Sequence, residues 1–423
     1  MFIPHPLRRI TWKSIILLVC LLMINSCNER ERTNPFDPGS KIAEDPFSLE
    51  ITSNLQEIRL DWNPVDSPDL TGYNIYRGTP GAALERFQTV PDSVTMYSDT
   101  SIVLHQTYFY GVTAFGHTDE TSLEHLDTIT PGPTRWWVLS DNFNSLAELS
   151  HDGLHLYRTY SEFSAPELVT AHPYENRVYV YDRFGGSMYV YPIGQSPVQI
   201  ATGLFNGTAL LSPANSTKLY LLRNTRTLSV INYQTGSQHQ MQLPSVVTSG
   251  DEKNASSLWI AAGDTLYSLF DGNLNLSVEY FTGTGETIGA IAGAGDESVF
   301  IAVTESGHIT RVQNGQIFDT ITDIQTPVQL EYNSADSSLW FLSYDRDKEH
   351  YKVYQYNAGV THLMLSGLKR VYDMEVNPVS DVCLVADYEQ QTLYRIQPDG
   401  EVRTQKEFPG KVYQIVVQML GSE

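Results

Sequence analysis

Three short stretches set aromatic rings beside cations: Arg135-Trp136-Trp137, Arg370-Val371-Tyr372 and Lys411-Val412-Tyr413. Flat, electron-rich faces next to positive charge can stack on a sugar ring or hold a peptide. A second set is acidic: Asp141, Asp182, Asp345 and Asp387 each follow an apolar, strand-like run. Two readings stay open for these carboxylates. They accept backbone N–H bonds in turns, or they form a ring of acids around a channel mouth. Asp345-Arg346-Asp347-Lys348-Glu349 spaces three carboxylates at alternate positions. Calcium takes clustered oxygen ligands, but the interleaved cations and the missing glycine argue against it, and no metal is expected. No Gly-x-Ser-x-Gly elbow, Walker loop or His-Glu-x-x-His helix occurs. The 11 histidines are scattered, with His172 beside Pro173 in a turn and His239 and His362 in outer strands. No catalytic residue and no cofactor is expected.

The chain that must position these residues has 423 residues, room for two or three domains with their own cores. Apolar residues make up 41%, an ordinary value for a globular chain. The 27 basic and 49 acidic residues leave a net charge of −22, which repels a phosphate backbone and excludes nucleic acid as a partner. With 25 Tyr against 3 Cys, the composition points to β structure without a disulfide framework. Cys383 lies in Val382-Cys383-Leu384-Val385 and reads as a core residue.

The first residues read as a targeting segment. Arg8, Arg9 and Lys13 precede an apolar run from Ile15 to Ile24. That run is too short to span a bilayer, which takes ~20 residues, and it suits a secretory segment. Ile24-Asn25-Ser26-Cys27 then resembles the bacterial lipobox. The resemblance implies cleavage after residue 26, acylation of Cys27 and a stable lipid anchor. Asn28 behind the cysteine implies the outer membrane of the cell envelope, facing the periplasm or the surface. Loss of Arg8, Arg9 and Lys13 leaves 24 basic residues against 49 acids, a net charge of −25. Residues 27–44, with Asn34-Pro35-Phe36-Asp37-Pro38-Gly39, read as an extended tether.

Residues 45–131 show the alternation of half-buried antiparallel strands. Ile58, Leu60 and Trp62 share one face, as do Tyr73 and Ile75, and later Tyr108, Tyr110, Val112 and Ala114. With turn-rich spacers between them, these strands predict an immunoglobulin-like β-sandwich. The module resembles the fibronectin type III family over its whole length. Trp62, Gly72-Tyr73-Asn74-Ile75-Tyr76-Arg77 and Tyr108-Phe109-Tyr110-Gly111-Val112-Thr113-Ala114 carry the resemblance, in the expected order. It implies a spacer with these aromatics in its core.

From residue 132 to 423 the chain repeats itself. First strands begin near Leu168, Thr208, Val246, Ile288, Val328, Val371 and Val412, at successive gaps of 40, 38, 42, 40, 43 and 41. Four-stranded propeller blades repeat at ~40–45 residues. The region opens on Trp136-Trp137-Val138-Leu139, a second strand without a first, and ends on Val412 to Val417, a first strand without successors. Joining the two completes a seventh blade and removes both free edges. The fold class is therefore all-β, a sandwich followed by a seven-bladed β-propeller. The region resembles NHL-like and YVTN-like bacterial propellers, and Val385-Ala386-Asp387 matches the valine-alanine-aspartate strand end.

Two functional readings follow. The first is a membrane-anchored lipoprotein whose propeller binds a protein or glycan of the envelope, with the sandwich as spacer. Its candidate ligand-binding residues are Trp136, Trp137, Asp141, Asp182, Asp345, Arg370, Tyr372, Asp387 and Tyr413. The alternative is an extracytoplasmic hydrolase or lyase at the channel mouth, which converging carboxylates would favour. Fold alone does not separate them.

Overall fold

A computed structural model describes residues 48–117, 126–141, 144–192, 195–283, 285–295, 297–405 and 410–420. The signal segment 1–26, Cys27, the 27–44 tether and the first residues of the sandwich lie outside the described residues. The chain divides into two compact units. The smaller holds Arg59–Ser98 and Tyr108–Thr128; the larger runs from Ile129 onward and takes in Thr52–Ile58 and Asp99–Thr107.

The strands before residue 130 form two sheets. One has three strands in the order Leu49–Ser53, Ile58–Trp62, Met96–Asp99. The other has four, in the order Glu85–Pro91, Gly72–Gly78, Tyr108–Phe115, Leu126–Ile129. In the smaller unit Trp62 meets Tyr73 edge to face at 5.4 Å, and the Tyr73 hydroxyl accepts the Val65 N–H at 2.9 Å. Tyr73, Tyr108 and Tyr110 are buried. These aromatics are core, the role the alternation assigned them.

Beyond residue 130 the described residues form seven antiparallel sheets of four strands. Six are sequential meanders; Pro166–Ala171, Arg177–Asp182, Ser187–Pro192 and Val198–Ala201 make the first. The seventh joins the two ends of the region. Val412–Met419 pairs with Thr134–Ser140, from Val412 opposite Ser140 to Met419 opposite Thr134, and Ser145–Leu149 and Leu156–Tyr160 follow outward. The first strands neighbour one another in cyclic order, and Val412–Met419 lies beside Pro166–Ala171 to close the cycle.

The second strands explain why the repeat reads as unbroken apolar runs. Each is covered on both faces by neighbouring sheets, so its period-2 alternation divides between two cores. Tyr179 and Tyr181 pack with Leu219 and Leu221 of the next sheet, whereas Val178 and Val180 pack with Trp137 and Leu139 of the previous one. In the same way Trp136 and Val138 face Leu384 and Ala386. Cys383 is buried in the core next to that one.

Every first strand carries a β-bulge at its second residue. The seven bulged residues are Glu167, Thr208, Thr248, Gly289, Val328, Tyr372 and Tyr413. A bulge tightens the twist and re-aims a side chain. Tyr372 and Tyr413 thus hold equivalent places in successive sheets.

The seam sheet joins segments from the two ends of the repeat. Trp137 is fully buried there, and its indole N–H donates to Gln418 Oε1 at 2.8 Å across the join. Trp137→Ala is expected to cost about 3–5 kcal/mol in urea unfolding, several times more than replacing the exposed Phe184.

Candidate functional site

The aspartates that follow the second strands do not form an acid ring at an opening. Asp182 is buried and accepts the N–H groups of Ser164 at 2.7 Å, Ala165 at 3.1 Å and Phe184 at 2.9 Å. Asp387 is likewise buried and accepts those of Lys369, Arg370 and Gln390. Asp141 accepts the Lys411 N–H at 2.7 Å. Each of these three ties the loop entering a first strand to the end of the second. Asp345 accepts Asp347 and Lys348 N–H groups and pairs with Lys352 at 2.7 Å, which holds its carboxyl below the usual value. Turn chemistry, the simpler of the two readings, accounts for all four.

The two tryptophans are also placed inside. Trp136 and Trp137 are fully buried, one in each core beside the seam sheet, and the Trp136 indole donates to the His151 carbonyl at 3.0 Å. They offer no face to a ligand. Continuous burial of second strands, not ligand stacking, sets their identity.

Arg370 and Tyr372 do come together, and Tyr413 lies near Tyr388 beside them. Arg370 and Lys411 end loops held by Asp387 and Asp141, and Tyr372 and Tyr413 are the bulge residues of the first strands that follow. Tyr372 is 45% exposed and meets Tyr388 edge to face at 4.7 Å. The Arg370 guanidinium lies 5.0 Å from the Tyr372 ring centre and 5.5 Å from that of Tyr388, and it donates to the Tyr372 hydroxyl at 2.6 Å. The Lys411 ammonium is 4.8 Å from the same Tyr388 ring. Tyr413 borders the group; burial, with Asp141 and Tyr388 nearby, pushes its hydroxyl up to about 12. Tyr344 and Tyr351, 4.9 Å apart, extend it on the other side, where Tyr351 lies within the field of Arg370 and Tyr372. Tyr388 was not singled out by the sequence. Its signal was its place directly after Asp387, in the turn that faces the next first strand.

A second group lies on the first strands and was missed altogether. Asp251, Glu331 and Glu375 each stand three residues after the bulge of their strand. Asp373 stands one after it. Asp251 accepts the Gly293 N–H at 2.7 Å and Asp373 the Ile415 N–H at 2.7 Å, each from the next first strand. Glu375 accepts from Val417 in the same way. Gln414 does so for Val169 at 2.6 Å, and Gln329 donates to Asp373 at 2.6 Å and to the Met374 carbonyl. These side chains stitch neighbouring sheets together. Burial raises the carboxyls, Asp251 to about 6 and Asp373 to about 7. Glu331 and Glu375 are pushed well up, first by burial and then by the other acids. Glu331 feels Glu375 and Asp373 of one neighbouring sheet and Asp251 of another, so acids from three sheets converge toward the centre of the cycle. Period-2 alternation in Gln329-Leu330-Glu331 and Asp373-Met374-Glu375 was the signal for them.

No protein-family model and no curated protein matches the chain. Among solved structures, a functionally unknown protein from Desulfotomaculum acetoxidans is similar at a TM-score of 0.54 and 12% identity, over 68% of this chain and 99% of its own. A catalytically inactive virginiamycin B lyase from Staphylococcus aureus, solved with quinupristin, is similar at 0.50 and 12%, over 66% and 92%. A chain of a nidogen/laminin complex reaches 0.44 at 8% identity, over 68% and 100%. With the first two of these, the seven sheets define a β-propeller-like array of four-stranded antiparallel sheets. At such low identity the likeness shows the fold alone and leaves the function open.

The central acids carry a pH dependence. A carboxyl raised in the folded state binds its proton more tightly there than when unfolded. Its contribution to stability is full below the unfolded pKa, near 3.8 for Asp373, and is lost as pH rises through about 7. Thermal unfolding should therefore occur at a higher temperature at about pH 5 than at about pH 8. Glu375→Gln, which keeps an acceptor for Val417, should raise the melting temperature at the higher pH and flatten the slope. An unchanged slope would contradict the convergence.

Proposed function

We propose that this chain is a lipid-anchored envelope protein that recognises a protein or glycan partner. In this reading Cys27 is acylated after removal of residues 1–26, and residues 27–44 tether the protein to the outer membrane. A fibronectin type III spacer, 45–131, then carries a seven-bladed propeller, 132–423. The three- and four-stranded sheets before residue 130 support the spacer. The seven sheets in cyclic order support the blade count. Recognition rests on one observation: Tyr372, Tyr388, Arg370 and Lys411 form an aromatic and cationic cluster where first strands begin, with Tyr372 exposed. Structural needs of the core do not call for it, since most other bulges carry small or aliphatic residues.

The hydrolase or lyase reading draws on the converging carboxylates, whose raised pKa values suit acid–base work. Asp251, Asp373 and Glu375 are each committed to a backbone N–H, and that weighs against it. Only Glu331, among the described residues of this group, accepts from a side chain, Gln329, instead of a backbone N–H, and it would have to act.

The test is a crosslinking pull-down of the full-length protein from its native envelope, read by mass spectrometry and by sugar analysis. A partner captured by the native chain and lost with Arg370→Gln plus Tyr388→Ser is expected. Equal capture by both would overturn the assignment to this cluster. Cys27→Ser should move the protein from the membrane fraction to the soluble one.

A further inference from the structure

Resting on that recognition reading, we infer that the cluster takes a carboxylated sugar, a uronic acid within a glycan chain. The argument starts from charge. In a chain of net charge −22, Arg370 and Lys411 form no ion pair among the described residues. Both lie against one ring, that of Tyr388, at 5.5 and 4.8 Å. Two like charges against one ring favour an anion beside them.

The nearby carboxylates do not supply it. Asp387 is buried and spends both oxygens on backbone N–H groups. Asp141 accepts the Lys411 N–H through Oδ1. Glu167, at the bulge of the following sheet, is 3.5 Å from Arg183. Exposed Glu389 is the remaining acid beside Tyr388 and forms no bridge to either cation.

The aromatic surface selects the kind of anion. Tyr372, 45% exposed and braced edge to face against Tyr388 at 4.7 Å, offers aromatic surface to the C–H face of a pyranose. Arg370 spends one Nη2 hydrogen on the Tyr372 hydroxyl and keeps its other donors for a planar carboxylate, which a guanidinium grips in a fork. The tyrosine hydroxyls add partners for ring hydroxyls. An acidic peptide would gain most from adding a strand, but Val371–Val376 and Val412–Met419 are each paired on one side, and on the other side of the second the N–H groups of Ile415 and Val417 are taken by Asp373 and Glu375.

The experiment titrates the full chain by calorimetry with three probes: trigalacturonate, a neutral galactose trisaccharide and tetraglutamate. Trigalacturonate should bind at least tenfold more tightly than the neutral sugar, with affinity falling as salt rises. Arg370→Gln should weaken it at least tenfold and Tyr388→Ser should abolish it, while Phe318→Ser on an outer strand should not change it. Melting temperatures within a degree or so of the native chain would show that the exposed-site variants fold. Equal binding of both sugars, with Arg370→Gln silent, would overturn the uronate inference and leave sugar recognition standing. Binding of tetraglutamate alone would overturn it in favour of a peptide. Failure of all three probes would overturn it too; the recognition reading would fall only if the pull-down were also insensitive to the cluster variants.

Discussion

The structure depends on one backbone constraint: the first strand of each of the seven sheets beyond residue 130 has an edge with no strand beside it. Its N–H groups are close to the protein interior, where an unmade hydrogen bond costs about 1–3 kcal/mol. At three junctions, side chains of the preceding first strand make those bonds. Asp251 serves Gly293, Asp373 serves Ile415, Glu375 serves Val417 and Gln414 serves Val169. The sheets are thus joined by apolar packing on their faces and by side-chain to backbone bonds at their inner edges. The two act together, because packing alone would leave the inner edges unsatisfied.

That solution concentrates acid at the centre of the cycle. Four carboxyls with mutual repulsion cannot all ionise at low electrostatic cost, so burial and neighbours hold several of them toward the neutral form. A protonated carboxyl still accepts a backbone N–H through its carbonyl oxygen, so the stitch survives the loss of charge. This is why raised pKa values here are compatible with a purely architectural role, and why they do not by themselves argue for catalysis.

Much of this was legible in the residues. The first strands beginning at Ile288, Val371 and Val412 start at those residues in the structure, and the Val412 strand pairs with Trp136-Trp137 as the repeat arithmetic required. Repeats are legible because each unit must bury the same faces. The site was harder. Trp136 and Trp137 looked like ligand platforms because a pair of large aromatics next to an arginine is uncommon on a surface. In a strand covered on both sides the same pair simply fills two cores. The acids were misplaced for a related reason. Asp182 and Asp387 recur visibly at strand ends, whereas Glu331 and Glu375 lie inside strands and become neighbours only when the cycle closes. Contacts made by closure join positions far apart in the chain, and no local pattern announces them.

The bulge ties architecture to function. It is needed in all seven first strands to set their twist, so its position is structurally fixed while its side chain is free to vary. Thr208 and Thr248 use that freedom locally, each donating to a carbonyl of the adjoining second strand. Gly289 leaves the place empty. Tyr372 and Tyr413 instead carry rings out of two successive sheets toward Tyr388. A conformational device repeated for stability therefore presents seven variable positions, and two neighbouring ones are aromatic. Asp387 and Asp141 hold the loops beside them by the same turn bonds that serve the rest of the repeat. The cluster thus stands on rigid backbone without any element added to support it, which is what a recognition surface needs to bind with little ordering cost.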